Sequence, residues 1–208
     1  LDETNPDIRD PELDLYNPDN PNQPPYSVEF QKRYQAAQIA RNRRITAWVK
    51  AKLEALRAQG KSNEEFAFTV HGTMAAPVWL DNTIDPNERR PNTCFLGDPK
   101  VVNNSPIGLA RFTTLRSWLS QWSYDESNAN GVDDAASMSL PTLVINNAAD
   151  DACTPSHAKR LFDAVANDNK EFVEIIGATH YYLGQHEQLR QAEQACTLWL
   201  RKQGLTDV

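Results

Sequence analysis

Between Ser27 and Gln59 the side chains of Phe30, Tyr34, Ala37, Ile39, Arg41, Ile45, Trp48, Val49, Leu53 and Leu56 recur at roughly helical spacing, with no proline or glycine among them. Residues three and four apart share one face of a helix, so the spacing predicts one long amphipathic helix, continuous, bent or split. Ser27 is placed to cap its start and Gly60 to stop it. The pattern then shortens. "EEFAFTVHG" (64–72) is β-branched and aromatic and predicts a strand that runs into a glycine turn. Residues 73–107, rich in Pro, Asn and Asp, read as a long excursion, which in compact domains tends to be functional or to cover something. In "GLARFTTLRSWLSQWS" (108–123) the positions of Leu109, Phe112, Leu115, Trp118, Leu119 and Trp122 predict a second helix, and "YDESNANGVDDAAS" (124–137) a polar loop.

The last seventy or so residues follow a different rhythm. "PTLVIN" (141–146) and "EFVEIIG" (171–177) are apolar strands, "PSHAKRLFDAVAN" (155–167) is a helix opened by proline, and "EQLRQAEQACTLWLRKQG" (187–204) is a closing amphipathic helix. Strand, helix, strand, helix with continuous apolar strands predicts a parallel sheet covered on both faces. Pro6, Pro11, Pro18, Pro21, Pro24 and Pro25 forbid a long helix over residues 1–26, which read as a wrapping segment. The expected organisation is therefore a wrapping segment (1–26), a largely helical region with long loops (27–139) and an α/β tail (140–208).

Composition narrows the function classes. With 40% apolar residues the chain can build a core, and a net charge of −7 without any basic stripe argues against a nucleic-acid partner. No apolar run approaches the roughly 20 residues of a membrane span, and "LDETNPDIRD" lacks the layout of a signal peptide. The expectation is a soluble chain with no membrane partner, either cytoplasmic, or periplasmic or secreted after processing of a precursor. Cys94, Cys153 and Cys196 form no CxxC, so neither a disulfide framework nor a zinc site is expected. They read as buried or half-buried small side chains.

The chemistry of a parallel α/β sheet sits beyond the carboxyl ends of its strands. There the first tail strand delivers Asp150 and Asp151, and the second delivers His180. A carboxylate that accepts the Nδ1 proton of an imidazole fixes its tautomer and stabilises the imidazolium, leaving the other nitrogen as a general base for a hydroxyl.

These residues carry a resemblance. "PTLVINNAADDACTP" (141–155), "GATH" (177–180) and the "WL" at 199–200 resemble the acid loop, histidine loop and closing helix of the α/β-hydrolase family, whose acid loop reads P-x-L-V-I-x-G-x-x-D-x-x-x-x-P. The resemblance implies the C-terminal portion of an α/β-hydrolase fold with a helical cap insertion, Asp150 as the triad acid with Asp151 as fallback, and His180 as the base. Asn147 stands where the family has glycine, a tolerable change because asparagine also accepts left-handed backbone.

The same family carries its serine in G-x-S-x-G on a strand-to-helix elbow, upstream of the acid, and no such motif exists here. Cys94 lies in the excursion without the strand and helix N-terminus that would activate it. Three explanations are open. A separate N-terminal chain supplies the serine nucleophile and the oxyanion hole, as the non-methionine start suggests; or the chain is a non-catalytic binding module derived from a hydrolase; or an unrelated α/β fold produced the pattern. Under the first, the resemblance implies a two-chain serine hydrolase needing no cofactor or metal, acting on carboxylic esters, with amides, peptides or carbon–carbon bonds as alternative substrates. Tyr181 and Tyr182, beside His180, and Trp118, Trp122 and His71, in the expected cap, are the candidate substrate contacts.

Overall fold

A computed structural model describes residues 9–206, so the part of the proline-rich segment before Arg9, Pro6 included, lies outside the described residues. The protein is mixed α/β, with a small parallel sheet and flanking helices. It divides into two compact units, one built from the chain up to Pro77 with Asp98–Ala129, the other from Val78–Gly97 with Asn130 onward. The boundary expected near residue 139 therefore falls earlier, and part of the 73–107 excursion belongs with the tail.

The first unit is organised by helix α1 (Val28–Ala58), capped where Ser27 Oγ accepts from the Phe30 amide at 3.1 Å and followed by Gly60 at φ 73°. Strand β1 (Ala67–Thr69) follows, and later helix α2 (Pro99–Asn104), opened where the Asp98 carboxylate accepts from the Val101 amide. The helix expected over 108–123 is instead strand β2 (Phe112–Thr114), helix α3 (Leu115–Ser117) and a π-helical turn at Trp118–Trp122. Local chemistry explains the difference. Ala110 takes a positive φ of 56°, Thr113 and Thr114 are β-branched, and the Thr114 side chain caps the turn that starts at Leu115. β2 pairs antiparallel with β1, Ala67 opposite Thr114 and Thr69 opposite Phe112.

Ile45, Val49, Leu53 and Leu56 of α1 pack with Val70, Leu115 and Trp118 to form the core of this unit, with Leu119 and Trp122 partly buried against it. The Trp118 indole N–H donates to Thr46 Oγ1 at 2.9 Å, so its one polar group is satisfied inside that core. Leu15, Tyr16 and Tyr26 of the proline-rich segment are buried, and the Tyr16 hydroxyl donates to the Met74 carbonyl at 2.7 Å.

The second unit begins, after Val78–Gly97, with helix α4 (Gly131–Ala136) where a polar loop is expected. Asp133 and Asp134 occupy its first turn, where carboxylates complement the positive helix end. Strand β3 (Thr142–Asn147), helix α5 (Pro155–Ala164), strand β4 (Lys170–Ile175) and helix α6 (His186–Lys202) follow in the expected order. β3 and β4 are parallel and in register from Thr142 opposite Lys170 to Asn147 opposite Ile175.

The expectation of strands buried on both faces is corrected. Most β3 residues are only half-buried, Phe172 of β4 is exposed, and Leu198 of α6 is 54% exposed. Among the described residues no third strand joins this sheet. Two strands with one crossover helix, α5, and one closing helix, α6, have too few elements to cover both faces of a parallel sheet. Among the described residues, no helix is long and apolar enough to cross a membrane.

Candidate functional site

The parallel register sets the geometry. β3 and β4 end level with each other, so the loops leaving them, 148–154 and 176–185, emerge side by side. The Ala149 amide donates to the Ala178 carbonyl at 2.9 Å, joining the two loops through their backbones. Asp150 and His180 meet across this junction, with Nδ1 3.0 Å from Oδ2 and 3.2 Å from Oδ1. Asp150 is 5% exposed. Its Oδ1 also accepts from the amides of Ala152 at 2.7 Å and Cys153 at 2.8 Å. A buried carboxylate holding two amides and an imidazole is aimed before any ligand arrives.

Of the two adjacent acids, Asp150 faces the histidine. Asp151 lines an open cleft of about 630 Å³ with Glu88, Arg90 and Thr93, and its backbone carbonyl accepts from the Trp79 indole at 2.6 Å. Burial pushes the Asp151 carboxyl above its ordinary range, and the neighbouring Asp150 adds to this.

The histidine loop has its own lock. Gln185 Oε1 accepts from both the amide and the hydroxyl of Thr179 at 2.8 Å, while its Nε2 donates to the Gly177 carbonyl at 2.7 Å. Asn147 acts differently from the sequence-based expectation. It is not among the residues with positive φ. Its side chain instead bridges the loops, donating to the Thr179 carbonyl at 3.1 Å and accepting from the Tyr182 hydroxyl at 2.6 Å. Glycine there would lose both bonds.

The two tyrosines separate. Tyr181 is exposed and meets the His180 ring edge-on at 4.6 Å between centroids, with Phe95 at 5.7 Å from the imidazole. Tyr182, at φ 52°, turns its ring toward the cluster of Ile175, Ala178 and Ala192. Burial raises its hydroxyl pKa against the opposing pull of the Asn147 bond. Trp118, Trp122 and His71 belong to the first unit. There Trp118 is core, Trp122 packs beside it, and His71 is exposed with its carbonyl taken by Arg41.

Val78–Gly97 supplies positioning residues that the sequence did not announce. Asn87 donates to the Asp150 carbonyl at 2.7 Å, and Glu88 links both strand ends through the Ala148 carbonyl and the Gly177 amide, each at 2.8 Å. The segment is folded around Arg89, whose guanidinium donates to the carbonyls of Val78, Asp81, Ile84 and Asp85. Burial lowers the pKa of that guanidinium, while Asp85, Asp81 and Asp151 oppose the shift. The unusual length and polarity of the excursion was the available signal for a functional loop; no motif marks Asn87 or Arg89.

Cys153 and Cys196 are exposed and only Cys94 is buried, against the expectation for three buried or half-buried thiols. Partial loss of solvent around the Cys153 thiol, followed by the nearby Asp150 charge, raises its pKa.

Chemically, the pair can hold an imidazole in one tautomer, take up a proton on its other nitrogen and stabilise the resulting cation. Comparison with protein-family models, with curated proteins and with solved structures finds no match.

Proposed function

We propose that this chain carries the acid–base half of a serine hydrolase of the α/β-hydrolase type, hydrolysing carboxylic esters. The carrying observation is the Asp150–His180 pair, 3.0 Å apart at the carboxyl ends of adjacent parallel strands, with Asp150 buried and held by two amides. In this reading Asp150 orients His180 and stabilises its charged form. His180 takes the proton of an attacking serine, passes it to the leaving alcohol, and then activates water to release the acyl group.

The serine and the oxyanion-hole donors come from polypeptide outside these 208 residues, since no serine here lies in G-x-S-x-G. The half-buried faces of β3 and the exposed apolar side chains Phe172 and Leu198 support such a companion, which would extend the parallel sheet and cover it. Tyr181, exposed and edge-on to His180, is the substrate contact this reading favours.

The test is to isolate the active assembly, label it with a fluorophosphonate and measure p-nitrophenyl ester hydrolysis. Label is expected on a serine outside this chain, and His180→Ala is expected to lower kcat about a thousandfold or more. Label landing on this chain, or activity surviving His180→Ala, would sink the proposal.

A further inference from the structure

Cys153 follows Asp150 by three residues, and the hydrogen bond its backbone amide donates to the Asp150 carboxylate brings the thiol to the acid–base pair. One ligand atom from each of Asp150, Cys153 and His180 (a carboxylate oxygen, the sulfur and an imidazole nitrogen) lie within 4.8 Å of one another. We propose that these three residues form a binding site for a thiophilic divalent cation of the zinc class, and that its occupancy switches the acid–base pair off. The site stands on this geometry alone; the switching rests on the function proposed above.

Sulfur, imidazole nitrogen and carboxylate oxygen are the donors a tetrahedral zinc-class ion selects, with a water completing the fourth position. Metal–ligand bonds of about 2.0–2.3 Å separate the ligand atoms by roughly 3.3–3.8 Å, so the widest pair must close by about 1 Å. The movement falls to Cys153, which is exposed. The other two donors are already fixed, Asp150 by the amides of Ala152 and Cys153, His180 between Phe95 and Tyr181.

On binding, the Cys153 S–H bond breaks, the proton leaves to solvent and a sulfur–metal bond forms. The imidazole gives one nitrogen lone pair. If that nitrogen is Nδ1, the proton shared with Asp150 is displaced; if it is Nε2, the lone pair that would accept a substrate proton is occupied. Either way His180 ceases to be a base. A resident cofactor is a different matter, because hydrolysis by a serine, histidine and aspartate requires no metal. The trio escaped a search of cysteine spacing because its ligands come from two loops that only the parallel register brings together.

The test is a Co²⁺ titration of the full 208-residue chain, read by absorption. One equivalent is expected to produce a thiolate-to-cobalt charge-transfer band that Zn²⁺ displaces. Cys153→Ser should abolish the band, and Cys196→Ser, which changes the other exposed thiol, should retain it. His180→Ala should weaken binding by about tenfold or more. Zn²⁺ should also raise the Tm of the wild-type chain but not of Cys153→Ser, a linkage readout that guards against a variant that has merely misfolded. No band in the folded wild-type chain, or a band that survives Cys153→Ser, overturns the site. In the active assembly, zinc should inhibit at lower concentration with Cys153 than with serine there; equal inhibition overturns the switch and leaves the hydrolase reading untouched.

Discussion

Asp150 does two jobs, and two substitutions pull them apart. Replacing it with alanine removes the acceptor for the Ala152 and Cys153 amides, at 2.7 and 2.8 Å, as well as for His180 Nδ1. An unsatisfied buried donor costs about 1–3 kcal/mol, and two are left behind. Removal of a buried charge and entry of water offset part of that. The expected net loss for Asp150→Ala is therefore about 2–4 kcal/mol, or roughly 5–15 °C in the Tm of a domain this size. Asparagine keeps an oxygen for the two amides, so Asp150→Asn should cost less than about 1.5 kcal/mol. Its Nδ2 is a donor, however, and it meets His180 Nδ1 where a carboxylate used to accept. The imidazole must then present a lone pair at Nδ1 and carry its proton on Nε2, the wrong tautomer for a general base. Urea unfolding measures the first effect, and long-range ¹H–¹⁵N correlation of the imidazole measures the second. Alanine and asparagine variants of equal stability, or an unchanged His180 tautomer in Asp150→Asn, would refute the account of how this carboxylate is held and what it holds.

Other outcomes follow from the same structure. Burial raises the Asp151 carboxyl, so the folded state holds that proton more tightly than the unfolded chain. Its contribution to stability is present in acid and is lost as pH rises from the ordinary carboxylate range through the raised folded value. Asp151→Asn should accordingly gain stability over wild type at neutral pH and lose that gain below about pH 4 in thermal scans across pH. Gln185→Leu removes three hydrogen bonds that close the histidine loop, and amide exchange over residues 177–185 should accelerate while β3 stays protected. Trp118→Ala should cost about 3–5 kcal/mol in denaturant unfolding, because its ring fills a core and its N–H is satisfied by Thr46. A loss under about 1 kcal/mol would restore Trp118 as a surface or pocket residue.

Helix α1 and the tail were open to reading because their causes are local. The α1 periodicity, the Ser27 cap and Gly60 lie within one stretch of chain, and 141–155 and 177–180 carry strand, turn and helix signals in fixed order. The segment 108–123 was misread for an equally physical reason. Leu115, Trp118, Leu119 and Trp122 do keep helical spacing and do face a core, but Phe112–Thr114 are drawn into a strand by pairing with Ala67–Thr69, far away in sequence. Helix α4 was missed because a six-residue helix with no apolar stripe has no period to detect.

The residue types and order around the candidate site, an acid loop after one strand and a histidine after the next, were written in the chain. Their distance was not. That Asp150 and not Asp151 touches His180, that Asn147 bridges two loops, that Asn87 reaches the acid loop, and that Cys153 comes within 4.8 Å of the pair all depend on the folded chain, in which two parallel strands end level. Backbone propensity and periodicity act over a few residues, whereas these contacts join positions thirty to ninety residues apart through packing and hydrogen bonds that only the folded chain can make.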